Sequence, residues 1–262
     1  MNRRLLITGA GGFLGSRICE YYSNRDGYEA VGVTHRELDI EDFVAVSAFI
    51  KAIRPDYVLH CAAISNTGTC ERNPVLSEKV NVRGTINLAK ACRNAGSRMI
   101  FTSSDQIYNT SHSMEPNREG SEGKPGNVYG RDKKRAEEAM LTYLPDAVAL
   151  RLTWMYDAPS RGRAAGQGLL QKLADALKER REVEFPVHDY RGITYVWEVV
   201  RHLEEAMGLP GGVYNFGSEN RYNTFDTARL FLRELAGSDS AGILKRNDER
   251  FASCPRNLTM DT

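Results

Sequence analysis

The chain has 262 residues, 41% hydrophobic and 26% charged, an ordinary globular composition near the upper size for one hydrophobic core. Lys and Arg number 35 against 34 Asp and Glu, so the net charge of +1 gives no electrostatic reason for a nucleic-acid or membrane partner. The apolar run after Arg3-Arg4 is too short for a signal core, nothing approaches the ~20 apolar residues of a membrane span, and the five cysteines lack a C-x-x-C pair. These features favour a reduced, cytoplasmic protein whose thiols act as small buried hydrophobes.

Leu5-Leu6-Ile7 reads as a buried strand ending in Thr8-Gly9, followed by helical spacing from Phe13 to Tyr22. Tyr28–Val33 predicts a second strand, and Phe43–Ile53 a helix stopped by Arg54-Pro55-Asp56. Tyr57–Cys61 is a third strand, Leu76–Ala95 a helix closed by Gly96, and Met99–Phe101 a fourth strand running into Thr102-Ser103-Ser104. A helix over Val128–Tyr143 and a strand over Ala147–Leu152 continue the alternation. The fold class is therefore α/β: a doubly wound parallel sheet of Rossmann type with helices on both faces.

Beyond Trp154 the texture changes. Asp157–Gly168 reads as a long loop, helices are expected over Leu169–Leu177, Val196–Met207 and Phe225–Leu235, and short strands over Val183–Phe185 and Val213–Phe216. From Lys245 onward periodicity is weak. The expected division is a dinucleotide-binding unit over 1–155, completed by parts of 190–216, and a smaller, partly interleaved α/β substrate lobe over 156–262.

Gly9, Gly12 and Gly15 form G-x-x-G-x-x-G between a strand and a helix. In that context one glycine permits the turn, one admits a pyrophosphate close to the backbone, and one lets helix and strand pack. The helix N-terminus then offers free N–H groups to the phosphates. The second strand ends in Thr34-His35-Arg36, with no acid until Glu37. An acid there would bind a ribose 2′-hydroxyl and an arginine a 2′-phosphate, so His35 and Arg36 favour NADP(H), with NAD(H) the alternative.

Tyr129 and Lys133 share one face of a helix at i, i+4 spacing. An ammonium beside a phenol would lower its pKa from ~10 and let it exchange a proton with a substrate oxygen. Ser104 ends the preceding strand, where ligands meet parallel sheets, and could hydrogen-bond the same oxygen.

The segments TGAGGFLG (Thr8–Gly15), HCAA (His60–Ala63), NVRGT (Asn81–Thr85), TSSDQIY (Thr102–Tyr108), YGRDK (Tyr129–Lys133) and RLTWMY (Arg151–Tyr156), in this order and spacing, resemble the extended short-chain dehydrogenase/reductase family. LDI at Leu38–Ile40, the serine-aspartate of the fourth strand, R-x-x-W-x-Y and Gly192–Tyr195 resemble the dTDP-4-dehydrorhamnose reductase subgroup. The resemblance implies an oxidoreductase with Ser104, Tyr129 and Lys133 as its catalytic set. It also implies a cofactor site of Gly9, Gly12, Phe13, Leu14, Gly15, His35, Arg36, Asp39, Ile40, Cys61, Ala62, Ala63, Asn81, Ser103, Tyr129, Lys133 and Leu152. A nucleotide-sugar would meet Ser104, Asp105, Gln106, Trp154, Gln167, Arg191 and Thr194. No metal is implied, and a homodimer is common among such relatives. Gln106-Ile107-Tyr108 departs from the aromatic Tyr-Val-Phe usual after the catalytic strand of the subgroup.

The expected activity is NADPH-dependent reduction of a keto-sugar, with Tyr129 as proton donor. Gln106 cannot act as a base where dehydratases carry a glutamate, which disfavours dehydration. An epimerase with retained NAD and a non-catalytic NADP-binding regulatory subunit remain as alternatives.

Overall fold

The computed structural model describes residues 2–111, 113–158, 168–236 and 242–262. Strand β1 (Arg3–Thr8) leads through the glycine turn into helix α1 (Phe13–Ser23), then β2 (Tyr28–Val33), α2 (Phe43–Ile53) and β3 (Tyr57–His60). Helices α3 (Thr67–Arg72), α4 (Pro74–Glu78) and α5 (Gly84–Ala95) follow, then β4 (Arg98–Ser104), α6 (Val128–Tyr143), β5 (Val148–Leu152) and β6 (Trp154–Tyr156). The remainder comprises α7 (Leu169–Glu179), β7 (Val183–Pro186), β8 (Asp189–Arg191), β9 (Ile193–Tyr195), α8 (Val196–Gly208), β10 (Gly212–Phe216), α9 (Thr224–Ala236), β11 (Leu244–Asn247) and β12 (Arg256–Leu258).

Among the described residues one all-parallel sheet has the order β10-β5-β4-β3-β1-β2. Its inner strands are buried on both faces. Leu6, Val58 and Phe101 pack with α2, α5 and α6, whereas Leu5, Ile7 and Leu59 pack with α1 and α8. Leu5, Leu6 and Ile7 are fully covered, each worth roughly 1.5–3 kcal/mol of apolar burial. The continuous apolar run in β1 is therefore what a doubly covered parallel strand requires.

The chain winds outward from β1 in both directions, so β1 and β3 flank the switch point where a ligand crevice opens. Both rims of that crevice come from short motifs: Thr8-Gly9 after β1, and Cys61-Ala62 after β3.

The expected helix over Leu76–Ala95 is divided. Pro74 opens α4, capped by Asn73 Oδ1 accepting from Leu76 N at 3.1 Å, and a π-helical turn over Lys79–Arg83 joins it to α5. The wider turn coincides with two fixed points. The Asn81 side chain is tied to the backbone of Ile64, and Gly84 lies so close to Ile40 that a Cβ would fall 2.6 Å from Ile40 Cδ1. A π-turn absorbs such a mismatch without ending the helix.

Periodicity also missed β6, β8, β9, β11 and β12. These are three- and four-residue strands that pair pairwise as β6·β9, β7·β11 and β8·β12, too short for an alternation to register. Strand β10 adds to the edge of the main sheet beside β5, and α8 packs on α1, so late sequence completes the early layer.

Candidate active site

The glycine turn is shaped as a cradle. Gly9 has φ +71°, and a Cβ there would meet Ala62 N at 2.7 Å, so the residue must be glycine on two counts. A Cβ on Gly15 would overlap the Gly9 carbonyl, which fixes how closely α1 approaches the turn. Gly12 caps α1 in an extended conformation without a side-chain hydrogen bond, leaving the N-terminal amides beyond Phe13 facing the crevice. These features fit a dinucleotide pyrophosphate.

His60 braces both rims. It is fully buried, with Nδ1 2.8 Å from Thr8 Oγ1 and Nε2 3.1 Å from Thr85 Oγ1, and Thr8 Oγ1 also accepts from Ala62 N at 3.3 Å. Burial, aided by the Lys133 charge, pushes its pKa down to about 3, so the ring is neutral. In the sequence, HCAA enters only through the family resemblance. Its signal was a histidine at the end of a buried strand, opposite a threonine.

Among the expected cofactor residues, Ala62 and Ala63 are half-buried along the crevice, Leu152 is buried at the end of β5, and Ser103 Oγ is buried with no hydrogen-bond partner among the described residues. Burial pushes the Cys61 thiol up to about 12, so it stays a neutral wall residue. His35, Arg36 and Asp39 are exposed beyond β2. Glu37 folds back to that strand end, its carboxylate accepting from Thr34 N at 2.6 Å and from Thr34 Oγ1.

Two placements correct the sequence reading. Asn81 spends its amide on Ile64, accepting from Ile64 N at 2.9 Å and donating to Ile64 O at 3.1 Å. Its amide is thus taken up by the backbone of the segment that follows Ala63. Ile40 is a core residue against Gly84, because Leu38 and Ile40 both turn inward.

At the C-terminal end of β4 the three expected catalytic side chains come together, all buried. Lys133 Nζ donates to Thr102 O at 2.7 Å and lies 4.4 Å from the Phe101 ring centre and 5.7 Å from that of Tyr129. Helix α6 presents Tyr129, Lys133, Ala136, Glu137 and Met140 on one buried stripe, so the charged run GRDKKRAEE conceals an inward face. Its N-terminus is fixed twice: Asn127 Oδ1 accepts from Gly130 N at 2.7 Å, and Glu71 Oε1 from Val128 N at 2.6 Å.

The electrostatics differ from the expectation that Lys133 lowers the Tyr129 pKa. Burial first, and the Asp105 charge second, hold the phenol above its usual range, with a hydrogen bond to Ser104 pulling the other way. Burial lowers the Lys133 ammonium to about 8, Glu137 opposing. The environment thus keeps Tyr129 protonated at neutral pH.

Beyond Ser104, Asp105 Oδ1 accepts from Ser104 Oγ and from Gln106 Nε2, each at 3.2 Å. Arg191 lies over Trp154, 4.8 Å from guanidinium carbon to ring centre, and pairs with Asp189 at 3.2 Å; Arg256 pairs with Asp189 at 2.7 Å. Lys172 Nζ stands 5.9 Å from the Trp154 ring centre. A cationic, aromatic wall therefore faces the Ser104 end of β4. Thr194 is not part of it: its hydroxyl is hydrogen-bonded to Thr153 Oγ1 and accepts from Ser218 N at 2.7 Å. Gln167 lies outside the described residues, as does most of the loop from Asp157 to Gly168. Among the described residues no three His, Cys, Asp or Glu side chains gather as a metal site, and no helix is long and apolar enough to cross a membrane.

The model of the RmlD substrate binding domain family matches residues 3–262. The chain belongs to this family. It is 31% identical over 260 residues to a dTDP-4-dehydrorhamnose reductase of Mycolicibacterium smegmatis, covering 95% of this chain and 74% of that one. It is 32% identical over 271 residues to methionine adenosyltransferase 2 subunit beta of Xenopus tropicalis, covering 97% and 78%. A crystal structure of dTDP-4-dehydrorhamnose reductase from Bacillus anthracis in complex with NADP superposes with a TM-score of 0.88 at 21% identity, covering 100% and 91%. The superposition shows that the two chains share the fold.

Proposed function

We propose that this chain is an NADPH-dependent reductase of a keto-sugar nucleotide, with Ser104, Tyr129 and Lys133 as its catalytic residues. The observation that carries the reading is the burial of a protonated Tyr129 beside Ser104 and Lys133, at the strand end next to the glycine cradle. The names of relatives such as the reductase of M. smegmatis support the substrate class.

NADPH, when bound, supplies a hydride donor. Gly9, Gly12 and Gly15 would hold its pyrophosphate, Arg36 a 2′-phosphate, and Lys133 the nicotinamide ribose. Ser104 hydrogen-bonds the substrate carbonyl oxygen and orients it. Tyr129 gives that oxygen its proton as negative charge develops there, and its raised pKa keeps the proton in place beforehand. Lys133, held by Thr102 O, contributes a cation under the forming tyrosinate. Trp154, Lys172 and Arg191 would receive the remainder of a polar, anionic substrate.

The test is NADPH oxidation with dTDP-4-dehydrorhamnose, followed by absorbance. Tyr129→Phe should lower kcat by about 10²–10⁴-fold while leaving NADPH affinity intact. A wild-type chain that binds NADPH tightly and never oxidises it with any sugar nucleotide would sink the reading. It would favour a second one, a cofactor-binding subunit, to which the 32% identity with methionine adenosyltransferase 2 subunit beta points.

A further inference from the structure

Ser104 and Tyr129 stand on different elements, one at the end of β4 and one in the first turn of α6. Proton delivery needs their hydroxyls held in one geometry, and a misplacement of about 1 Å can cost ~10²-fold in rate. Gln106 lies between them. Its N–H donates to Ser104 Oγ at 3.2 Å, and its carbonyl oxygen would lie 2.5 Å from a Cβ on Gly130. Only a glycine lets α6 approach that carbonyl so closely.

The side chain makes a second link. Gln106 Nε2 donates to Asp105 Oδ1 at 3.2 Å, and Gln106 Oε1 accepts from Asn127 Nδ2 at 3.0 Å. Asn127 Oδ1 in turn caps Gly130 N, the residue after Tyr129. The amide's donor and acceptor thus point in opposite directions. Reversing it would set its oxygen against a carboxylate and its nitrogen against an NH₂ group. Gln106 is buried, so losing either bond leaves a largely desolvated polar group.

We propose that Gln106 is a positioning residue: its amide locks the Asp105–Ser104 end of β4 onto the N-terminus of the helix that carries Tyr129, and turnover needs the amide's donor as well as its acceptor. The inference rests on the reductase reading. A carboxylate of the same shape keeps the acceptor toward Asn127 and loses the donor toward Asp105, so two acceptors face each other. Among the described residues, the charged groups that act on Asp105 are Arg191 of β8 and Arg256 of β12, and Asp105 in turn acts on Tyr129 of α6. A proton shared between the two carboxyl groups restores the donor, and the arginines confine that protonation to acidic solution.

The experiment compares wild type, Gln106→Glu and Gln106→Met as full chains, with NADPH and dTDP-4-dehydrorhamnose as probes. NADPH affinity, KM and kcat are measured from about pH 5 to about pH 8. NADPH affinity should be unchanged in both variants, and kcat should fall by about 10–100-fold near neutral pH. Relative to wild type, Gln106→Glu should then regain tenfold or more in kcat on acidification, and Gln106→Met nothing. Asn127→Asp approaches the link from the other side, keeping the helix cap and losing the donor to Gln106 Oε1; it should lower kcat to a similar degree. Parallel pH profiles for the two Gln106 variants, or full activity in Asn127→Asp, overturn the inference while an active wild type leaves the reductase reading standing. A wild type inactive on sugar nucleotides removes both.

Discussion

The Ser104 hydroxyl donates to Asp105 Oδ1 at 3.2 Å, while the other oxygen of that carboxylate, Oδ2, is buried and has no hydrogen-bond partner among the described residues. A half-satisfied buried carboxylate behind a substrate-binding hydroxyl is costly, and sites of function are where such costs are retained. Burial raises the Asp105 pKa, against the pull of Arg191 and of its own hydrogen bonds. The fold thus favours the protonated form more than the unfolded chain does. Its stabilising contribution is complete below the ordinary value of 3.8 and is lost as pH rises through the folded value.

Asp105→Asn should therefore melt higher than wild type at neutral pH, by a few degrees, with the difference vanishing below about pH 4. It should also lower the Tyr129 pKa, because the Asp105 charge is the second cause holding that phenol up. Thermal melts across pH and an ultraviolet phenolate titration check the two halves. A variant that is less stable at pH 7 and no more so in acid would contradict the account.

His60 yields an acid-stability prediction of opposite sign. Its folded pKa of about 3 lies below the ordinary 6.5, so between these values the unfolded chain binds more protons and stability rises with pH. The contribution is fully present above pH 6.5 and is lost by about 1.4 kcal/mol per pH unit as pH falls toward 3. His60→Gln should flatten that slope in urea unfolding between about pH 6 and pH 4, whatever its stability at neutral pH. A slope equal to that of wild type would show that other groups carry it.

Cofactor choice should be decided at the end of β2. Arg36 is exposed there, and Glu37 has folded back onto Thr34. Arg36→Ala should weaken NADPH by roughly tenfold or more and leave NADH unchanged, measured by fluorescence titration. Equal loss for both cofactors would mean that Arg36 does not distinguish the 2′-phosphate.

Much of this site was legible because the chemistry sits where periodicity is strongest. Gly9, Gly12 and Gly15 punctuate a strand and a helix, and Tyr129 and Lys133 share a helical face whose inward side the structure shows to be buried. What escaped reading was what depends on partners remote in sequence. Asn81 matched a motif, yet its amide is satisfied by a backbone that only the tertiary fold brings near. The neutral state of His60 depends on burial and on Lys133, and the high pKa of Tyr129 on burial and on Asp105. The strands of the second half are too short to alternate visibly and exist because each finds a parallel partner.

Behind the site, Arg151 and Glu137 form a bidentate pair, Nη2–Oε2 at 2.8 Å and Nε–Oε1 at 3.1 Å, with both side chains almost fully buried. Arg151 Nη1 also donates to Tyr108 OH at 2.6 Å, and Tyr108 OH lies 3.0 Å from Asn215 Oδ1. The pair thus joins α6, one helical turn beyond Lys133, to β5 and β10. Removing one partner leaves an uncompensated charge, so Arg151→Met or Glu137→Gln should each cost about 3–5 kcal/mol in urea unfolding. Replacing both with Met removes the desolvation cost as well, and the double variant should be several kcal/mol more stable than the sum of the single losses predicts. The same double variant should lower the Lys133 pKa further below about 8, since Glu137 holds it up, and shift the alkaline limb of the rate profile downward. Strict additivity of the two substitutions would mean that the ion pair, despite its geometry, is not what couples this helix to the sheet.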